Sequence, residues 1–351
     1  MPLPKTKALS EIIAKNKMQN SEFYGLRSIL GYYNWAIWYI ILGAREAGKS
    51  YSAMEFFVRK WKYDNIPFTW LRLNEASMKK MLNNNAEKFV DADIARRYKL
   101  KLTVKGNNVY DNGKKMATLL ALSTFANDKG VALFDKDFLN DPKMVYHICL
   151  DEFQLEKTQR SQGDIAYQFV QQMENLLRST KNRMRIILIG NTLEEASDIL
   201  TLFNFIPEEF GRYKLKSKRA VIDYLPPTEA YLNRRRGTVA DLLMGEHSNF
   251  TNKIKFDRTL LNKTKLYKPT ATIHFTKDVK FTVWDGHTIA PYNGENVKTK
   301  IAMRPYIDLF FDAKVRDNII ELFDSRSYLY KNLITHKKFQ KEIALIKPRK
   351  A

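Results

Sequence analysis

The chain has 351 residues, and its 59 Lys and Arg outnumber its 38 Asp and Glu, leaving a net charge of +21. A hydrophobic fraction of 44% with 13% aromatics excludes global disorder and fits two domains with a connector. One cysteine, Cys149, excludes a disulfide framework and a thiolate metal cluster; the charge surplus points to a polyanionic partner, nucleic acid first, with solubility alone as the plainer alternative.

In chain order, the first residues (MPLPKTKALSEIIAKNK) lack the apolar core of a secretory signal. The longest apolar run, Trp35 to Leu42, is far short of the roughly 20 residues that cross a bilayer. An intracellular location with no membrane partner is therefore expected. WAIWYIIL (35–42) is aromatic, β-branched and closed by Gly43, as in a strand buried on both faces. Ser50 to Tyr63 alternates at helical spacing, residues 68–73 (FTWLRL) read as a strand, and Ala76 to Phe89 as a helix. KLTVKG and NVYDNGKKMATLLALS predict a β-hairpin around Asp111-Asn112-Gly113. MVYHICL (144–150) is a buried strand, 164–178 a helix and RIILI (185–189) another strand.

Strands separated by helices predict an α/β domain with a central, mostly parallel sheet over residues 1–197. Residues 198–258, with Pro207, Pro226-Pro227 and Arg234-Arg235-Arg236, read as a small connector. Over 259–351 an alternating hairpin (ATIHFTKDVKFTVWDG) and two helical patterns within 305–345 predict a compact α+β domain. The charge is denser after residue 197: net +9 before it and +12 in the shorter remainder.

The strongest motif is Gly43-Ala44-Arg45-Glu46-Ala47-Gly48-Lys49-Ser50, which matches G-x-x-x-x-G-K-[ST] in full between a buried strand and a helix. Its glycines let successive N–H groups turn inward on a β-phosphate, and the helix N-terminus adds positive potential. Lys49 reaches the β- and γ-phosphates of ATP, and the Ser50 hydroxyl ligates Mg²⁺. VYHICLDEF (145–153) supplies the complementary acids at the end of a strand: Asp151 for the Mg²⁺ shell and Glu152 to polarise the attacking water. Two adjacent acids favour NTP hydrolysis over phosphoryl transfer to a small substrate. Asn191, just past RIILIG, is placed to sense the γ-phosphate; an ordinary turn asparagine is the plainer alternative.

A transition-state arginine is harder to place. Arg45 could fold over the γ-phosphate, while Arg178, Arg183 and Arg185 lie between the helix and the sensor strand. The five histidines show no metal-ligand spacing, and Asp285, Asp308, Asp312 and Asp317 are scattered acids that do not make a two-metal nuclease. Lys214, Lys216 and Arg234 to Arg236 lack the aromatic interleaving of single-strand platforms, so they suit contact with a phosphate backbone, blind to sequence and weakened by salt.

The order of parts resembles the DNA-packaging ATPases of phi29-like small tailed phages, which are terminase-like ring motors. The segments that carry the likeness are GAREAGKSYSAM, FTWLRL, the hairpin KLTVKGNNVYDNGKKMATLLALS, VYHICLDEF, RMRIILIGN, FNFIPEEFGRY and the ATIHF…FTVWDG hairpin. The resemblance implies an additional-strand P-loop (ASCE) ATPase domain, a connector and an RNase H-like C-terminal domain without the nuclease acids. It further implies a homopentameric ring at the prohead portal vertex in the host cytoplasm, usually with a packaging RNA, moving double-stranded DNA into the capsid. Carried over by position, Lys49 and Ser50 bind phosphate and Mg²⁺, Asp151 is the metal acid and Glu152 the catalytic base. A gapless count back from Asn191 puts Ser179 where the family has its arginine finger; a one-residue shift selects Arg178. Another P-loop nucleic-acid motor (a helicase or DNA pump), or an assembly protein that uses ATP as a conformational lock, are the competing readings.

Overall fold

The computed structural model describes residues 23–44, 46–124, 126, 141, 144–154, 164–177, 183–191, 197–239, 257–305 and 309–347. The chain divides into two compact units, the first built from residues 1–203 and 209–255, the second from 204–208 and 256–351.

The first unit is organised by a nine-stranded sheet. Its strands are β1 (Trp38–Gly43), β2 (Phe68–Arg72), β3 (Leu102–Lys105), β4 (Asn108–Asp111), β5 (Lys114–Ala121), β6 (Tyr146–Asp151), β7 (Met184–Asn191), β8 (Gly211–Leu215) and β9 (Ala220–Tyr224). They run in the order β3-β4-β5-β2-β6-β7-β1-β9-β8. All pairings from β5 through β9 are parallel, and antiparallel strands close both edges. The α/β, mostly parallel sheet expected from the sequence is the one observed. Its central strands are buried on both faces, as their continuous apolar runs require. Tyr39 and Ile41 of β1 join Ile187 and Ile189 in one core with Phe57 of helix α2 (Lys49–Asp64), which follows the short helix α1 (Leu26–Tyr32) in the chain. Trp38 faces the other way and packs on Phe169 and Phe203, with ring centroids 5.8 and 5.5 Å away.

Three features depart from the expected elements. The helix expected through Phe89 is α3 (Glu75–Ala86), broken where Asn84, Asn85 and Ala86 take φ of 51°, 53° and 64°; asparagine tolerates this left-handed backbone. A short helix α4 (Ala92–Arg97) follows, started by the Asp91 carboxylate on the Asp93 N–H. The expected hairpin is a three-stranded meander, because Gly106 (φ 59°) permits a second turn besides Asn112-Gly113 (φ 50° and 79°).

The third departure is the connector. Residues 211–215 and 220–224, expected in a connector, extend the sheet of the first unit beside β1. Asp223 interrupts the apolar run AVIDY yet is fully buried. It accepts hydrogen bonds from Arg212 Nε and Nη2 (the latter 2.7 Å) and from the Tyr24 hydroxyl at 3.0 Å. Arg212 also lies over the Tyr33 ring, 5.4 Å from its centroid. A buried charge that is paired on two sides is compatible with a core strand.

The first unit also holds α5 (Ile165–Leu177), α6 (Asp198–Leu202) and α7 (Glu229–Arg235). The second unit is α+β, as expected. Its strands β10 (Pro269–His274), β11 (Lys280–Trp284), β12 (Thr288–Pro291), β13 (Lys300–Ala302) and β14 (Leu329–Tyr330) run in the order β13-β10-β11-β12-β14. Helices α8 (Ala313–Asp324) and α9 (Leu333–Ile346) complete it. Phe339 of α9 centres its core, with the rings of Phe275, Phe281, Phe323, Tyr328 and Tyr330 between 5.2 and 6.2 Å away. Among the described residues no helix is long and apolar enough to cross a membrane.

One core residue ties stability to pH. His147 of β6 sits against Phe56 and Phe57, and among the described residues neither ring nitrogen has a hydrogen-bond partner. Burial, helped by Arg185 and Lys60, lowers its pKa to about 3. In the unfolded chain a histidine titrates near 6.5. The unfolded state therefore takes up the proton first, and stability is lost as pH falls from about 6.5 toward 3. His147→Phe is expected to flatten that loss, measured as the urea midpoint between pH 7 and 4.5. Equal slopes in the two proteins would contradict it.

Candidate nucleotide site

The parallel register brings three strand ends to one level. Gly43, at the end of β1, pairs with Asn191 at the end of β7, and Asp151, at the end of β6, pairs with Ile189 of β7. The carboxyl ends of parallel strands are where α/β sheets place ligands.

Between β1 and α2 the chain turns through the glycine-rich loop. Gly48 has φ 78° and is the N-cap residue before α2; an added Cβ there would lie 2.9 Å from the Phe23 Cβ, so conformation and space both require glycine. At Gly43 a Cβ would meet Leu225 at 3.1 Å. The Tyr24 N–H donates to the Ala47 carbonyl at 2.9 Å and ties the loop to the segment before α1.

The side chains converge behind this loop. Lys49 is buried at 5% exposure, and its ammonium donates to the carbonyls of Gly43 (3.0 Å) and Ala44 and to Asn191 Oδ1 at 3.4 Å. The Ser50 hydroxyl donates to Asp151 Oδ1 at 2.9 Å. Burial pushes the Asp151 carboxyl above its ordinary range; Arg72 and the Ser50 hydroxyl oppose that shift, Glu152 adds to it, and Lys49 opposes it. Glu152 follows with a left-handed backbone (φ 54°) and a carboxylate exposed at 56%.

Arg72, the last residue of β2, joins the two acids. Its Nη1 donates to Asp151 Oδ2 at 2.9 Å and its Nη2 to Glu152 Oε2. Sequence reasoning assigned it nothing. The signal was present: a lone arginine closing an apolar strand must meet a carboxylate or water, and β2 pairs with β6.

A triphosphate would find fixed N–H donors, a lysine and a helix N-terminus here. The Ser50 hydroxyl and the Asp151 carboxylate are hard oxygen donors within hydrogen-bonding distance of each other, the donor class that Mg²⁺ takes while keeping several waters. The residues present therefore fit that ion.

Other candidates fall elsewhere. Arg45, Arg178 and Ser179 lie outside the described residues, as does Asp308. Arg183 and Arg185 stand at the start of β7, the sheet end opposite Gly43. The basic residues proposed for nucleic acid are not gathered on one surface. Lys214 and Lys216 lie by the β8–β9 turn, beside the start of β1, whereas Arg234 and Arg236 follow β9 at the phosphate-loop end. The Arg235 side chain is outside the described residues. In the second unit Asp285 accepts from the N–H groups of Tyr267 and Lys268, Asp312 caps α8 and Asp317 pairs with Arg316.

A family model, the Podovirus DNA encapsidation protein (Gp16), matches residues 18–313. The chain belongs to this family. The match takes in the phosphate loop, both acids, Asn191 and part of the second unit. The fold is similar to that of the phi28 gp11 DNA packaging motor, with TM-score 0.64 and 14% identity over 95% of this chain and 100% of that one. It is also similar to the bacteriophage phi29 viral genome packaging motor assembly, with TM-score 0.62 and 19% identity over 93% of this chain and 100% of that one. Those likenesses establish the fold alone, with its large, mostly parallel sheet. None of the curated proteins matches the chain.

Within this site, loss of Arg72 has a pH signature. Arg72→Ala leaves Asp151 buried with one cation fewer, and destabilisation of about 3 kcal/mol at pH 7 is expected, the low end for a broken buried pair. Protonation of Asp151 relieves that unpaired charge, so the deficit shrinks as pH falls toward 5. Urea unfolding at the two pH values checks this; a deficit that grows on acidification would contradict it.

Proposed function

We propose that the chain hydrolyses ATP to drive double-stranded DNA into a preformed phage prohead. The observation that carries this reading is the convergence of Lys49, Ser50, Asp151 and Asn191 at one loop, with Glu152 next to Asp151 and tied to the same arginine, in a member of a DNA-encapsidation family. The loop N–H groups and the start of α2 cradle the β-phosphate. Lys49 exchanges the Gly43 and Ala44 carbonyls for β- and γ-phosphate oxygens. Ser50 and Asp151 would hold Mg²⁺, which would supply neutralisation of the charge on the β- and γ-phosphates. Asn191 contacts the γ-phosphate from the lysine's other side.

Glu152 acts as the base that orients water on the γ-phosphate. Its tie to Arg72 competes with that task, so hydrolysis requires the carboxylate to exchange a guanidinium for a water. Arg178 serves as a finger toward a neighbouring subunit. The assembly belonging to this reading is a ring, a homopentamer at the portal vertex with a packaging RNA, working in the host cytoplasm. Lys214 and Lys216 contact the DNA backbone, and the second unit grips nucleic acid without cutting it.

Steady-state phosphate release tests the enzyme reading. Lys49→Ala and Glu152→Gln are each expected to lower turnover about 100-fold or more, Glu152→Gln with ATP binding retained. Unchanged turnover in both would leave only the conformational-lock alternative. Double-stranded DNA should stimulate turnover without strand separation; unwinding would make the protein a helicase.

The backbone-contact claim has its own readout. The dependence of log K on log salt for double-stranded DNA should be the same for unrelated sequences. Lys214→Glu with Lys216→Glu should reduce its magnitude by about 2. A sequence-selective loss would contradict backbone contact.

A further inference from the structure

Phe23 and Arg234 flank the phosphate loop on the side away from Asp151. The Phe23 ring is half exposed and lies against Gly48, where an added Cβ would stand 3.2 Å from ring carbon Cδ1. The Arg234 guanidinium carbon lies 5.7 Å from the centre of that ring. A flat π surface and a planar cation therefore sit together at the mouth of a phosphate site.

Both residues are held in place by bonds that also hold the loop. Next to Phe23, Tyr24 donates its N–H to Ala47 and its hydroxyl to the buried Asp223 of β9. Beyond β9, the Leu225 N–H donates to the Leu42 carbonyl at 2.8 Å, and the Leu225 side chain packs over Gly43. Thr228 then caps α7 through the Tyr231 N–H, and Tyr231 is buried. The segment before α1 and the segment after β9 thus fix the outer wall of the loop.

The direction of the site says what that wall meets. Asn191 of β7 and Asp151 of β6 mark the terminal-phosphate end, on one side of β1; β9 and α7 lie on the other. A triphosphate is a linear chain, so if its γ-phosphate meets Lys49 and Asn191, its sugar and base leave on the Phe23 side.

We propose that Phe23 and Arg234 clamp the nucleobase of the bound nucleotide, with a purine stacked on the Phe23 ring and covered by the guanidinium. The proposal rests on the nucleotide reading of the phosphate loop. It gives Arg234 a nucleotide-facing task in place of the DNA contact expected from the Arg234–Arg236 run. Stacking of this kind recognises the π face of a base and favours purines over the smaller pyrimidines.

Calorimetric titration with two ligands tests it: Mg-ATP, and inorganic tripolyphosphate with Mg²⁺, which carries the phosphates without a base. Phe23→Ala is expected to weaken ATP about tenfold and to leave tripolyphosphate unchanged, with Phe23→Tyr restoring ATP binding. Arg234→Ala should act in the same direction. Equal weakening of both ligands in Phe23→Ala would mean that the ring only props Gly48, and would overturn the clamp. So would unchanged ATP affinity, or an Arg234→Ala variant that loses DNA binding and keeps ATP. If the wild-type protein binds neither ligand, the phosphate-loop reading itself fails; if it binds both while Phe23→Ala matches it on ATP, only the clamp fails.

Discussion

The register of three neighbouring parallel strands is the constraint on which the site depends. Because Gly43 pairs with Asn191, and Asp151 with Ile189, the ends of β1, β7 and β6 arrive at one level. A slip of one residue in any of them would turn its side chains to the opposite face. Lys49 reaches Asn191 and Ser50 reaches Asp151 only from helix α2, which begins where the loop leaves β1. The apolar interior of these strands sets that register, since Tyr39, Ile41, Ile187 and Ile189 share one core. Hydrophobic packing thus positions polar chemistry several residues away.

Two buried ion pairs carry the charge that this arrangement requires. Arg72 compensates Asp151 inside the site, and Arg212 compensates Asp223 one strand beyond β1. The second pair, through Tyr24, links the β8–β9 hairpin to the Ala47 carbonyl of the loop. The hairpin that read as a connector is in this way part of the scaffold that holds the phosphate loop.

Much of this was legible from the residues. The loop from Gly43 to Ser50, the acids after β6 and Asn191 after β7 were readable because each sits where an unbroken apolar strand ends. Residues 211–224 were not, since Asp223 and Arg212 interrupt the alternation and their mutual neutralisation appears only once the strands pair. Arg72 was overlooked for a similar reason: its partners lie 79 and 80 positions away, and β2 becomes a neighbour of β6 only in the folded sheet. The break after Asn83 could have been suspected from three consecutive asparagines. Spatial scatter of the basic residues could not, because a linear run of arginines says nothing about which end of a sheet it follows.

The most direct measurement of the central claim is a crystal structure with Mg²⁺ and a non-hydrolysable ATP analogue. Lys49 Nζ is expected to leave the Gly43 and Ala44 carbonyls for β- and γ-phosphate oxygens, with Asn191 beside the γ-phosphate and the metal between Ser50 and Asp151. A structure in which Lys49 keeps its carbonyls while the nucleotide binds elsewhere would contradict the account.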